Sequence, residues 1–237
     1  SNGVIIITTK KGRQGSKPKV AYNGYLSFGK VSKKYDVMTG DEYRHYVKNV
    51  LGQEGKGLGD ANTDWQDLIY RTAVSTDHQV SITGATKHMP YRVSLGYTDE
   101  QGIVKTSSFE RFTAALNLSP SLFNNHLNIN LSAKYMYAHN RYADGAVFGA
   151  AINADPTQPV YSDIKEFGGY WQNSVRAGYT DPNWIYTTNT NTPQNPVALL
   201  ELKDDTAKSQ SAIGNIEFDY KIHGFGDLHI HANVGGD

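Results

Sequence analysis

Alternation of apolar and polar positions is the dominant pattern in this chain of 237 residues. In residues 127–137, LNINLSAKYMY, the odd positions are apolar or aromatic, and the even positions are polar as far as Lys134. Because successive side chains of a β-strand point to opposite faces, a period of two predicts strands with one apolar and one polar face. The same alternation, clear or weaker, predicts seven strands, at 19–29, 76–85, 89–98, 109–118, 127–137, 211–222 and 228–235.

The links between the predicted strands differ in length in a regular way. Short links lie at 86–89, 119–126 and 223–227, and longer ones lie at 30–75, 99–107 and 139–209. An up-and-down transmembrane barrel has tight turns on one side and extended loops on the other, whereas a soluble sandwich has no reason to segregate its loops. We therefore predict an all-β fold, namely a partial transmembrane antiparallel β-barrel with long outer loops.

The direction of each predicted strand also assigns a height to its apolar side chains. Aromatic rings then fall at two levels, with aliphatic side chains between them. The outer level holds Phe28, Tyr97, Phe112, Tyr135 and Tyr137, and the inner level holds Tyr22, Tyr91, Phe218 and Tyr220. Two aromatic girdles around an aliphatic band are typical of a lipid-facing barrel surface. Seven strands leave two open edges, so we expect this chain to form only part of a larger barrel.

Three capping motifs predict short helices inside the long loops. Thr39 and Glu42 form a capping box that opens a helix over roughly 40–51. Thr63 and Gln66 have the same spacing before a second apolar run. A third helix is predicted after Asn195, which is followed by proline at the first helical position.

Composition narrows the function classes. The chain has 23 Lys+Arg and 23 Asp+Glu, so its charge gives no reason to expect a nucleic-acid partner. The absence of cysteine excludes a disulfide scaffold and cysteine-based zinc sites. The sequence offers no carboxylate pair, Ser/His/Asp set or phosphate loop at a sensible spacing. We therefore expect no enzymatic activity and no cofactor.

The long loop at 139–209 is the best candidate for a binding site. A connection of that length is usually functional or disordered, and this one is too aromatic for disorder. Aromatic rings stack on the C–H faces of sugars, and amides reach sugar hydroxyls. The predicted substrate-binding residues are Tyr170, Trp171, Asn173, Asn183, Trp184 and Tyr186. The alternative is that these rings only pack the loop or contact a neighbouring protein.

A pair of histidines is the one arrangement that suggests a metal. His229 and His231 share one face of a predicted strand. Two ligands at this spacing, without a third, are a weak signal for a metal ion. We therefore predict no metal site and interpret the pair as ordinary polarity of a wet barrel interior.

Short motifs along most of the chain carry a family resemblance. They are SNGVIIITTKKG at 1–12, YNGY at 22–25, MTGDEY at 38–43, TDWQD at 63–67, PYRVSLGY at 90–97, NRYAD at 140–144, DPTQPVY at 155–161 and NPVA at 195–198. In this order they resemble the SusC/RagA family of TonB-linked outer-membrane receptors. The resemblance implies the C-terminal strand of a plug domain at 1–12, a linker at 13–18, and the incomplete N-terminal part of a receptor barrel at 19–237.

The resemblance also implies a function and its partners. Members of this family import oligosaccharides, or other large nutrients such as peptides, across the outer membrane of Gram-negative cells. The implied partners are a SusD-like lipoprotein at the outer face, the TonB complex acting through a missing plug segment, and outer-membrane lipid. Two alternatives stay open. One is a soluble or surface β-sandwich for binding or adhesion without transport, and the other is a siderophore- or vitamin-type TonB-dependent receptor.

Overall fold

A computed structural model describes residues 17–177, 185–225 and 228–237 of the chain. The plug strand predicted at 1–12, and the linker as far as residue 16, lie outside this range. The strands are β1 (Lys19–Gly29), β2 (Ala73–Ala85), β3 (Pro90–Gln101), β4 (Ser108–Leu118), β5 (Ser121–Leu122), β6 (Leu127–Tyr142), β7 (Ser174–Ala177), β8 (Ile185–Thr188), β9 (Asp205–Lys221) and β10 (His229–Gly236). The α-helices are α1 (Gly40–His45), α2 (Trp65–Ile69), α3 (Val147–Asn153) and α4 (Pro196–Glu201).

Seven long strands form one antiparallel sheet in the order β1-β2-β3-β4-β6-β9-β10. The two-residue β5 pairs with β6, while β7 and β8 form a separate hairpin. The sequence-based prediction of seven antiparallel strands in an all-β fold is therefore confirmed. No helix in the described part of the chain is both long enough and apolar enough to cross a membrane.

Several strands continue further toward the long loops than the sequence pattern indicates. The β6–β9 ladder runs as far as Tyr142 opposite Asp205, although the predicted strands stop at 137 and 211. The added positions include Arg141 and Lys208, whose charges interrupt the alternation of hydrophobicity while the backbone pairing continues. The long loops proper therefore span 30–72 and 143–204, and are called here the first and the last long loop.

The two faces of the sheet differ as the alternation predicts. In the ladder, Tyr97 lies opposite Phe112, and Phe112 lies opposite Tyr137, so these three rings form one row on the apolar face. This face is exposed in the described chain, with Val20 at 65% and Val234 at 67% of their accessible area. The sheet itself therefore contributes little hydrophobic core.

The hydrophobic core lies between the long loops. Its buried members are Trp65, Ile69, Val104, Val147, Ala151, Tyr170, Val197 and Leu200. The helices α2, α3 and α4 all contact one another around this cluster. Because Ile69 and Val147 have no exposed surface, the first and last long loops share one packed interior.

A segment of the last long loop, residues 155–158, binds along residues 57–65 of the first. Backbone bonds join Ala61 N to Thr157 O at 3.0 Å and Thr63 N to Pro156 O at 2.8 Å. The fully buried Thr157 accepts a further bond from Gly59 N at 3.0 Å. These residues, 57–65 with 155–158, are called the loop interlock, and it ties the two loops together along one seam.

The helix starts agree with the sequence in two cases and differ in one. Thr39 and Glu42 form the predicted capping box of α1, and the chain continues as a π-helical turn over Tyr46–Val50. Asn195 caps α4 as predicted. The N-cap of α2 is Asp64, so its predicted start at Thr63 is wrong by one residue. The Thr63 hydroxyl donates instead to Gln158 O at 2.6 Å, within the loop interlock.

Candidate functional site

A cleft of about 770 Å³ lies between the first and last long loops. Its first wall consists of residues 34–39, Tyr43 and 62–66, and its second wall consists of 151–156, Trp171, Asn173 and 192–196. These residues define the loop cleft. The volume is within the usual range for small-ligand sites, and the lining mixes aromatic rings with amides and hydroxyls.

Two of the predicted binding residues line the loop cleft. Trp171 is held through its backbone, whose N–H donates to Val160 O and whose carbonyl accepts from Asn195 Nδ2, both at 2.9 Å. Asn173 O accepts from Asn189 N at 2.9 Å. The structure therefore brings Trp171 and Asn173 together on one wall, with their backbones fixed by neighbouring segments.

Tyr170 is placed differently. Its ring belongs to the core cluster and is 9% exposed. The hydroxyl donates to the Glu201 carboxylate, and this bond, together with burial, raises the pKa of Tyr170 to about 12. Tyr170 lines a second cavity of about 460 Å³, whose lining does not include Trp171. Its contacts in this position are those of a packing residue.

Of the other predicted residues, Tyr186 does not line the loop cleft. Tyr186 lies on β8, where its backbone pairs with Arg176 of β7. Asn183 and Trp184 lie outside the described residues. A role for these three residues in binding stays a prediction.

Sequence analysis missed one entire wall of the cleft. Tyr35, Val37 and Met38 of the first long loop line it, and Tyr35 is 71% exposed. The signal that could have indicated them is the run YDVM, which places three large apolar or aromatic side chains in a loop with no strand periodicity. For this loop the sequence analysis predicted only short helices and no binding residues.

In the cleft, Lys34, Asp64 and Asp155 have partners within the protein, and Asp36 on the first wall is exposed. Lys34 contacts the carboxylates of Asp64, at 3.3 Å, and Asp67. The hydrogen bond that Lys34 donates to the Asp67 carboxylate is the main cause that raises the pKa of Lys34. Asp155 accepts bonds from Thr157 N at 2.8 Å and from Gln158 Nε2 at 3.2 Å. What these walls offer to a ligand is therefore mainly aromatic surface and neutral polar groups, together with the exposed carboxylate of Asp36.

The two histidines make local contacts across the last two strands. His229 Nδ1 lies 2.8 Å from Asp219 Oδ1, and His231 Nε2 lies 3.5 Å from Glu217 Oε1. Within the described ranges, no group of three or more His, Cys, Asp or Glu side chains is arranged to hold a metal ion. The pair is accounted for by its acidic neighbours on the polar face of the sheet.

Comparison with known proteins gives close relatives along the whole chain. No family model matches it. The chain is 58% identical over 243 residues to the TonB-dependent receptor SusC of Bacteroides thetaiotaomicron, covering 100% of this chain and 24% of that protein. It is 32% identical over 230 residues to the TonB-dependent receptor P26 of Formosa agariphila, covering 93% and 21%. The chain thus spans about a quarter of the length of these relatives.

Solved structures share the fold. A chain of the RagAB peptide importer in its open-open state superposes with a TM-score of 0.63 at 17% identity, covering 96% of this chain and 28% of that one. The closed-closed state of the same importer gives 0.61 with the same coverage. The identity to SusC across the whole sequence confirms the family resemblance: this chain belongs to the SusC/RagA family of TonB-dependent receptors.

Proposed function

We propose that this chain forms part of the wall and the cargo-binding loops of an outer-membrane, TonB-dependent importer of oligosaccharides or other large nutrients. The observation that carries the proposal is the loop cleft, in which Trp171 and Asn173 face the same space as Tyr35 and Met38. Rings with neighbouring amides suit a ligand that has apolar C–H faces and a hydroxyl periphery. An oligosaccharide has both features.

The dimensions of the apolar face support insertion in a membrane. On β6 this face extends from Leu127 to Tyr137, a separation of ten residues, or about 34 Å along a strand. With the tilt of about 35–45° usual for such barrels, this corresponds to a height of roughly 24–28 Å. The apolar band of outer-membrane barrels is about 25 Å tall. The length of the face is therefore that of a lipid-facing band.

The end of this face supports the same interpretation. The next positions toward the long loops are Asp99, Glu110, His139 and Lys208, which lie opposite one another in the ladder. This row is charged or titratable, whereas the preceding row contains the rings of Tyr97, Phe112 and Tyr137. An aromatic row followed by a charged row is the sequence of environments at a membrane–water boundary.

We propose the same partners that the family resemblance implies. A SusD-like lipoprotein would cover the long loops, and the TonB complex would supply energy through the plug. Large apolar side chains that are exposed to solvent in the last long loop support a protein partner at the long-loop end of the sheet. Phe148 is 45% exposed and Tyr161 is 62% exposed. Exposed apolar groups concentrated at one end commonly mark an interaction surface.

Membrane insertion is tested with the complete gene. Expression in a Gram-negative host followed by fractionation of the envelope should place the protein in the outer-membrane fraction. A soluble periplasmic protein would contradict the barrel proposal and favour a surface or sandwich module.

Cargo class is tested on the purified complete receptor by calorimetry. The probes are maltoheptaose, cellohexaose, xylohexaose and a mixture of heptapeptides. We expect binding of at least one oligosaccharide, and an affinity about tenfold lower for Trp171→Ala, because one stacked ring is lost. The matched control is Tyr161→Ala, an exposed aromatic of the same loop outside the cleft lining. Binding of the peptides alone would overturn the oligosaccharide assignment.

A further inference from the structure

The buried side chain of Gln66, in the first long loop, forms hydrogen bonds with both backbone groups of Tyr35. Gln66 is 3% exposed, and its amide makes two bonds to Tyr35. Gln66 Oε1 accepts from Tyr35 N at 2.9 Å, and Gln66 Nε2 donates to Tyr35 O at 2.8 Å. A side-chain amide that satisfies both backbone groups of one residue replaces the partner strand that an extended segment would otherwise need.

The side chain of Tyr35, whose backbone is bound in this way, is not packed in the hydrophobic core. Tyr35 is 71% exposed and lines the loop cleft. The hydrophobic effect gives little reason to fix an aromatic residue whose ring remains in water. The two bonds with Gln66 therefore fix the backbone that carries a side chain the protein does not bury.

The neighbours of Tyr35 are also fixed. On one side Lys34 forms ion pairs with Asp64 and Asp67 at the start of α2. On the other side Thr39 is tied to Glu42 by the capping box of α1. The backbone of Tyr35 is thus restrained from both flanks and from Gln66 behind it, which limits the positions available to its ring.

From this geometry we propose that Tyr35 is the aromatic platform of the first long loop for a sugar ring in the loop cleft, and that Gln66 is its positioning residue. The inference rests on the proposed function, since it adds a second ring to a site in which Trp171 supplies the first. Fixing an aromatic side chain before the ligand arrives removes part of the ordering cost of binding. A rigid ring also offers a large contact area with little loss of conformational entropy.

The test uses the complete receptor and the oligosaccharide probes named above. We expect Tyr35→Ala to lower the affinity about tenfold, as the loss of one stacking ring would. Tyr35→Phe keeps the ring and should stay within about threefold of the parent protein. Tyr46→Ala serves as the matched control, because Tyr46 is an exposed tyrosine of the same loop outside the cleft lining.

A double-mutant cycle tests the positioning role of Gln66. Gln66→Leu should weaken binding about fivefold in the parent receptor and by less than about twofold in the Tyr35→Ala background. A merely structural role for Gln66 would lower affinity equally in both backgrounds, because damage to the fold would still reach Trp171. Equal losses would therefore overturn the positioning role.

The outcomes separate this inference from the function on which it rests. If the oligosaccharide binds and Trp171→Ala weakens it while Tyr35→Ala does not, the platform is refuted and the cargo proposal stands. If no oligosaccharide binds the parent receptor, the cargo proposal is refuted and the sugar platform with it.

Discussion

Asn195 shows how one side chain links the core to the loop cleft. Its Oδ1 accepts from Val197 N at 2.9 Å and thereby caps α4. Its Nδ2 donates to Val160 O at 2.8 Å and to Trp171 O at 2.9 Å. The residue is 3% exposed, so water cannot replace these partners. The sequence predicts the capping role of Asn195. It does not predict that the same side chain also fixes the position of Trp171.

Substitution of Asn195 should separate these two roles. Asn195→Ala removes the cap and both donor bonds, and we expect a loss of about 2–3 kcal/mol in the free energy of unfolding. Asn195→Asp keeps the acceptor for the cap but sets a buried carboxylate oxygen against Val160 O and Trp171 O, so it should destabilise the protein at least as much as the alanine variant. Urea titration of the receptor in detergent micelles measures both. An alanine variant within about 0.5 kcal/mol of the parent would contradict this account.

At the scale of elements, the loop interlock joins the first and last long loops through hydrogen bonds that lie outside the strands and helices of the sheet and core. Thr157 Oγ1 accepts from Gly59 N at 3.0 Å and donates to Asp155 Oδ1 at 2.7 Å. Gly40, at the start of α1, is also close to the seam, since a Cβ added there would lie 2.9 Å from Pro156 O. The two loops therefore fit together at a distance that depends on small and hydrogen-bonded residues.

Thr157→Val tests the interlock with little change of shape. The substitution leaves Gly59 N without its acceptor in a partly buried position, which should cost about 1 kcal/mol. We expect faster amide hydrogen exchange at residues 57–63, measured by mass spectrometry, and no change in the strands. Thr72→Val is the control, because Thr72 is exposed. Unchanged exchange at 57–63 would show that the interlock does not depend on this hydroxyl.

The start of α3 should depend on pH. Asp144 Oδ1 accepts from Ala146 N at 2.8 Å, and this bond, with a smaller contribution from Lys203, holds the pKa of Asp144 below its ordinary value of 3.8. A carboxyl with a lowered pKa contributes stability above its ordinary pKa and loses it as the pH falls through the folded value. Amide protection of α3 should therefore fall below about pH 4. Asp144→Asn should remove that part of the pH dependence, and an unchanged profile would contradict it.

Element type was predictable from the sequence where the signal is local. Alternation located the seven strands, and the caps at Thr39 and Asn195 located two helix starts. Long-range contacts decided the rest. Thr63 is not the cap of α2 because its hydroxyl binds Gln158 O, 95 residues away. Tyr35 lines the cleft with its backbone bound by the Gln66 amide, and no residue spacing in the sequence predicts these bonds.

On the scale of the whole molecule, the stabilising interactions are unevenly distributed. The buried core lies among the long loops, whereas the sheet exposes an apolar face that includes Leu95 at 48% and Phe28 at 68%. Exposed apolar area of this extent, together with free strand edges, favours association in water. The sheet therefore requires an apolar environment that the chain does not itself supply.

The isolated 237-residue chain should behave accordingly. After dilution from urea into buffer it should aggregate, whereas dilution into detergent micelles should give a soluble product with a β-type circular dichroism spectrum. Light scattering and circular dichroism follow the two cases. A monomeric, folded chain in plain buffer would contradict the assignment of the apolar face to lipid.

The loop interlock also sets the order in which the molecule acquires its parts. The bonds across it join residues 90 to 101 positions apart, as in Trp65 Nε1 to Asp155 O and Gln158 Nε2 to Gly57 O. Contacts of such high sequence separation form late, because the intervening chain must first lose its freedom. Here the intervening chain is the run of strands from β2 to β6. The cleft therefore forms only after this part of the sheet has assembled, and under the proposed function a half-assembled receptor would not bind cargo.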